Sequence, residues 1–288
     1  MASPVVLVTG AAQRIGRVIA TTLARQGWRV AVHHRRSADE ARALVAELTA
    51  ELEAERGGSA QAAAFAADLA DEAACAALVP AVIARLGRID AVVHNASLFE
   101  HDDVASFNYA TMERHWRANT APAIVLGRAL HAALLDRAAR APSPTQRPPT
   151  HAGPANADAA PGVLITLLDQ KLWNPNPDHL SYTLSKAALE AATTLLAQAL
   201  APQVRVCGVA PGVTLPSGDM NAAEFAASHR MTPLERSSTP EDVAEAVAYL
   251  LRARAVTGTT LLVDGGQHLQ PQPRDVMFIA RAAEKPTP

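Results

Sequence analysis

The sequence predicts an α/β fold: one doubly wound domain with a seven-stranded parallel sheet and helices on both faces. Short apolar runs alternate with longer segments of helical period, the pattern of βαβ units. The first run passes through a small-residue turn, "TGAAQRIG", straight into a helical pattern, as at the start of a Rossmann-type domain. A chain of 288 residues, 49% of them hydrophobic, fills one large domain of this kind with a sizeable core.

In chain order, the strand-like run Val5–Thr9 leads to apolar positions at helical spacing over 14–26. Arg29–His33 precedes a helix over 38–55, and Ala62–Ala66 one over 71–86. Ala91–His94 is followed by a long helical pattern over 109–140, and Val163–Leu168 by one over 181–201. Val204–Ala210, a helix over 239–255 and Thr260–Val263 complete the alternation. The helix over 239–255 has a readable start: Thr239 as N-cap, Pro240 at the first helical position and Asp242 at the third. Residues 1–270 form this domain in the prediction, and 271–288 a C-terminal tail. Two stretches break the rhythm. Residues 141–161, "APSPTQRPPTHAGPANADAAP", carry six prolines and no apolar period, which predicts a mobile insertion. Residues 211–239 run on past a strand end, where open α/β sheets bind ligands. They are expected to form a substrate loop; a surface loop without a role is the alternative.

Composition narrows the function classes. Only 4% of residues are aromatic, so alanine and aliphatic residues make the core and any aromatic near a cleft is informative. A net charge of −2 gives no reason to expect a nucleic-acid or membrane-surface partner. Cys75 and Cys207 lie in apolar segments, which suggests buried thiols in a reducing compartment. "MASPVVLVTG" has no basic leader and too short an apolar run for a signal or membrane segment, so a cytoplasmic location is expected. No metal site is expected.

The turn after the first strand suits a pyrophosphate. Gly10 and Gly16 permit close backbone approach, and the helix beginning near Arg14 and Ile15 offers unpaired N–H groups. Arg14 stands where the usual three-glycine fingerprint has its middle glycine. Alone, this stretch is explained nearly as well by a plain strand–helix turn. The second strand ends "VHHRRS", with His34, Arg35, Arg36 and Ser37 and no acid before Asp39. NAD-preferring sites place an acid there for the ribose 2′-hydroxyl. Two arginines, a serine hydroxyl and Arg14 across the turn suit a 2′-phosphate instead, which favours NADP(H) over a merely solvated basic turn.

Farther along, Tyr182 and Lys186 are four apart on one helix face, and Asp169 ends the apolar run before them. Together with "TGAAQRIG", "DLA" (Asp68, Leu69), "HNAS" (94–97), "RANTAP" with Asn119, "YTLSK", "APG" and "VDGG", in this order, the chain resembles the short-chain dehydrogenase/reductase family along nearly its whole length. The resemblance implies that Asp68 and Leu69 border the adenine, and that Asn95, Ala96 and Ser97 face the ribose and nicotinamide. It makes Tyr182 the proton donor, with Lys186 holding the ribose and lowering the tyrosine pKa. Asn119 supports a water chain to that lysine, helped by Pro122 freeing backbone groups, and Pro211, Gly212 and Val213 contact the carboxamide. A homotetramer is the family's usual assembly.

Two departures point to one branch. Most members carry serine 13 residues before the tyrosine, where this chain has Asp169, and glycine where it has Arg14. Both departures, with "HHRRS", "NASLF" and "DGGQHL", resemble the pteridine and dihydromonapterin reductases, in which the aromatic at the Phe99 position stacks on a pterin. Chemistry supplies a reason for the aspartate. Reducing a dihydropterin places hydride on C6 of an imine and a proton on N5, and a carboxyl with a pKa raised by burial can feed that proton through the tyrosine or a water. Phe99, Ser97 and Arg14 are then the candidate partners of a flat substrate ring. Asp169 as a simple loop cap is the alternative. The expected activity is therefore NADPH-dependent reduction of a small pterin-like molecule. A general carbonyl or 3-oxoacyl reductase, and a non-catalytic NADPH-binding regulator, are the alternatives.

Overall fold

The computed structural model describes residues 3–56, 62–140, 161–217 and 220–284. Seven parallel strands form one sheet in the order β3-β2-β1-β4-β5-β6-β7. They are β1 (Val5–Val8), β2 (Arg29–His34), β3 (Ala63–Ala66), β4 (Ala91–His94), β5 (Gly162–Leu167), β6 (Val204–Pro211) and β7 (Thr260–Val263). The helices α1 (Arg14–Arg25), α2 (Ala38–Arg56), α3 (Glu72–Leu86), α4 (Tyr109–His115), α5 (Ala121–Arg140), α6 (Leu180–Ala199), α7 (Ala222–Arg230), α8 (Pro240–Arg252) and α9 (Val276–Glu284) connect or follow them.

Alternation along β1 explains the two layers. Val6 and Val8 face Ile19 and Leu23 of α1, Leu44 and Leu48 of α2 and Val247 of α8. Val5 and Leu7 face Leu78 and Val82 of α3 with Leu126 and Leu130 of α5. Both faces of a parallel sheet are covered, so its strands read as continuous apolar runs. The chain winds outward from β1 to β3, then returns to place β4 on the other side of β1. That reversal opens a crevice at the carboxyl ends of β1 and β4, the usual ligand position of an open sheet.

Three elements differ from the sequence reading. The helical pattern over 109–140 is not one helix: it widens into a π-helical turn at Trp116–Thr120 between α4 and α5. Pro122 has no N–H, which removes the amide that would close an α-turn on the Ala118 carbonyl. The excursion after β6 contains α7, started by a capping box between Asn221 and Glu224. The stretch expected as a plain tail holds α9, which packs on α7. The Pro-rich residues 141–160 lie outside the described residues. Among the described residues no helix is long and apolar enough to cross a membrane. No group of three or more His, Cys, Asp or Glu among them is placed to hold a metal ion. Cys75 and Cys207 are buried and free.

Candidate active site

A cleft of about 800 Å³ runs along the carboxyl ends of the strands, from the β2 turn to α9. Its floor is the turn after β1. Gly10 has φ +63°, and a Cβ on Gly16 would sit 2.2 Å from the Gly10 carbonyl oxygen, so neither position tolerates a side chain. Arg14 adopts φ +53°, the left-handed conformation that glycine takes most easily. Its guanidinium donates to the Pro216 carbonyl (2.9 Å), tying the turn to the loop after β6. Arg14, expected to meet a 2′-phosphate or the substrate, lines the same cleft.

His34, Arg35, Arg36 and Ser37 line the cleft beyond β2, with Asp68 and Leu69 opposite. Arg35 lies 4.0 Å from Asp68, and both are about half exposed. His33, which the sequence reading passed over, is the strut behind them. Its Nδ1 accepts from the Gly10 amide (3.1 Å) and its Nε2 donates to the Ala67 carbonyl (3.1 Å). Burial pulls its pKa down to about 4, so the ring is neutral and keeps this donor–acceptor pairing.

The turn after β4 is held by Thr9, whose hydroxyl accepts from the Asn95 and Ala96 amides (both 3.0 Å) and donates to His94 Nδ1 (3.2 Å). The Asn95 side chain donates to the Thr9 carbonyl (2.9 Å). Asn119 is fully buried. Its Oδ1 accepts from Leu98 N (2.6 Å) and Ser97 Oγ (3.2 Å), and its Nδ2 donates to Leu98 O (3.0 Å) and Ser185 Oγ (2.9 Å). Its own carbonyl accepts from His94 Nε2 (2.9 Å). The Asn119 amide side chain is a clamp that fastens the 97–98 turn to Ser185 of α6. Ser97 lines the cleft, and its hydroxyl donates to the same clamp.

At the centre, the Tyr182 hydroxyl donates to Asp169 Oδ2 (2.7 Å), while Asp169 Oδ1 accepts from the Lys171 amide (2.8 Å). One Asp169 oxygen thus caps the following turn and the other faces the tyrosine. Burial raises the Asp169 pKa, against its hydrogen bonds and the nearby lysines. Lys186 Nζ donates to the Leu167 carbonyl (2.6 Å) and lies 5.7 Å from the Tyr182 ring centre. Burial lowers its pKa to about 8. The expected lowering of the Tyr182 pKa is not found: burial first, then the Asp169 charge and hydrogen bond, push the phenol well above its usual value. A neutral, proton-holding tyrosine beside a carboxyl that readily takes a proton is an acid pair. When Asp169 is protonated it can refill Tyr182 after the phenol gives its own proton away.

Phe99 is 43% exposed to the cleft. One ring face stacks on His179 (centroids 4.3 Å, 23°), and the ring meets Tyr182 edge-on (4.6 Å, 90°). Pro211, Gly212 and Val213 also line the cleft. Gly212 donates to the Val263 carbonyl (3.0 Å), and Val213 donates to Gln267 Oε1 (3.3 Å). Among the lining residues missed from sequence, Lys171, Asn176, His179, Gln272, Asp275 and Met277 gather at one end of the cleft. One signal was available. "RDVMFIA" puts an aspartate just before an apolar run, the mark of a helix start.

The comparisons agree with this geometry. Residues 4–140 match the family described as short chain dehydrogenase, and residues 150–268 the one described as enoyl-(acyl carrier protein) reductase. A granaticin polyketide synthase putative ketoacyl reductase 2 from Streptomyces violaceoruber is 34% identical over 93% of this chain and 97% of its own. Pteridine reductase 1 from Leishmania tarentolae is 30% identical over 93% of this chain and 97% of its own. A crystal structure of FolM alternative dihydrofolate reductase 1 from Brucella canis, complexed with NADP, superposes with a TM-score of 0.79. It is 35% identical, covering 95% of this chain and 97% of that one. With its fold, its Tyr182–Lys186 pair and these relatives, the chain belongs to the short-chain dehydrogenase/reductase family of oxidoreductases.

Proposed function

We propose that the protein is an NADPH-dependent reductase that transfers hydride to a 7,8-dihydropterin. The observation that carries this reading is Asp169 at 2.7 Å from the Tyr182 hydroxyl, where a serine would serve a ketone. The cleft fits the cofactor: Gly10 and Gly16 leave room for a pyrophosphate at the start of α1, and Arg35, Arg36 and Ser37 meet a 2′-phosphate. Bound there, the reduced nicotinamide supplies the hydride. Phe99 gives the substrate ring a flat apolar wall. Tyr182 delivers a proton to N5, Asp169 replaces it, and Lys186 steadies the ribose beside the phenol. The relatives titled pteridine reductase and alternative dihydrofolate reductase support a pterin-type substrate.

The second reading, a carbonyl or 3-oxoacyl reductase, is favoured by the ketoacyl reductase relative. Following NADPH oxidation with dihydrobiopterin or dihydromonapterin, against a panel of ketones and acyl thioesters, separates the two. Robust turnover on the dihydropterins is expected. Turnover confined to ketones or thioesters would establish the second reading.

A further inference from the structure

The segment after β7 brings another carboxylate to the substrate end of the cleft. It is anchored on Asp178, whose carboxylate accepts from Arg274 Nε (2.8 and 2.9 Å) and from the Asp275 amide (2.7 Å). The Asp275 side chain then works in two directions. Oδ1 accepts from the Met277 amide (3.1 Å) and so caps α9, while Oδ2 lies 3.6 Å from Lys171 Nζ. Lys171 is buried and also donates to the Asp178 carbonyl (2.6 Å). The Asp275 side chain keeps 21% exposure, and Asn176, Gln272 and Met277 line the cleft with it. Its charge is close enough to Tyr182 to act on the phenol.

On the pterin reading above, the substrate's own side chain hangs from C6, the carbon that receives the hydride. Its first atom must lie beside Tyr182 and Asp169, and the chain must run along the adjoining wall, which is this one. The lysine there is already matched by Asp275. Among the described residues, the other cations lining the cleft are Arg14 on the Pro216 carbonyl, Lys186 on the Leu167 carbonyl, and Arg35 and Arg36 at the cofactor end. A hydroxyl finds a carboxylate oxygen and two amide side chains on this wall, whereas an anionic tail meets Asp275 and, among the described residues of this wall, no uncommitted cation. We infer that Asp275 is a specificity-determining residue at a side-chain subsite, which takes a neutral hydroxylated C6 chain and disfavours an anionic one such as the glutamate tail of a folate.

The test compares kcat/KM for 7,8-dihydrobiopterin and 7,8-dihydrofolate in the unmodified protein and in Asp275→Asn, at saturating NADPH. Asparagine keeps the cap on α9. The unmodified protein is expected to prefer dihydrobiopterin. In Asp275→Asn that preference should fall by roughly tenfold, as expected for one charge a few ångströms from an anion in a partly buried site. The change should sit in the KM for dihydrofolate, with NADPH affinity unchanged. A merely structural role would depress both substrates alike. A preference for dihydrofolate in the unmodified protein, or a ratio unchanged in the variant while both substrates turn over, overturns this inference and leaves the pterin reading standing. Reduction of neither substrate by the unmodified protein overturns both.

Discussion

Replacing Asp169 with serine separates imine chemistry from carbonyl chemistry in one step. The substitution removes the carboxyl that holds the Tyr182 hydroxyl at 2.7 Å, yet leaves a hydroxyl of the kind a ketone reductase uses. Serine can still accept from the Lys171 amide, so the turn after β5 keeps its cap. A hydrogen bond to a charged group contributes about 1.5–3 kcal/mol. General acids contribute ~100- to 10,000-fold to rate, and with Tyr182 still present the loss should be about tenfold smaller, roughly ten- to a thousandfold in dihydropterin turnover. Burial and the Asp169 charge together hold the Tyr182 pKa high, so the variant's phenol should also titrate at lower pH, readable by ultraviolet absorbance. Steady-state turnover on dihydrobiopterin and on an activated ketone, with melting temperature and NADPH affinity as controls, gives the ratio that matters. Activity on the ketone should survive or rise. A variant that reduces dihydrobiopterin at the original rate would leave Asp169 as a turn cap and refute the relay.

Three further outcomes are expected. Arg35→Asp should raise the NADPH Michaelis constant and partly rescue NADH, the loss of an arginine–phosphate contact costing on the order of 1.5–3 kcal/mol; equal use of both cofactors by the unmodified protein would remove the assignment of the β2 turn. Phe99→Ala should weaken dihydropterin binding by roughly 1 kcal/mol or more with NADPH affinity nearly intact; equal losses for both would make Phe99 a packing residue. Burial lowers the pKa values of His33 and His94 from 6.5 to about 4, so the unfolded chain binds more protons between those pH values. Stability should therefore be fully present above pH 6.5 and be lost as pH falls toward 4, and denaturant titrations across that range should show a shallower slope for His94→Gln.

Most of the fold was legible because its signals are local. The central strands read as largely apolar runs, the direct consequence of a sheet covered on both faces, and Thr239, Pro240 and Asp242 mark the start of α8 as they should. The Tyr182–Lys186 pair and the Gly10–Gly16 turn were equally readable, since four-residue spacing and steric limits belong to the chain itself. What escaped depends on contacts across sequence. Asp178 and Arg274 are 96 residues apart, and nothing local to either announces the other. The Asn119 clamp depends on how the 97–99 turn meets α6, and the high Tyr182 pKa on burial of the whole trio. The helices α7 and α9 were missed for a different reason. Their starts at Asn221–Glu224 and Asp275 are written in the sequence, but nine-residue helices are short enough to pass for loop.

Hydride transfer to pterin carbon is the central claim, and isotopic labelling reads it directly. Incubation with 7,8-dihydrobiopterin and NADPH dideuterated at the nicotinamide C4 should yield tetrahydrobiopterin carrying a single deuterium at C6, identified by mass and magnetic resonance. Unlabelled pterin recovered while the labelled cofactor is consumed with a ketone or acyl thioester would contradict the account and assign the Tyr182–Asp169 site to carbonyl reduction.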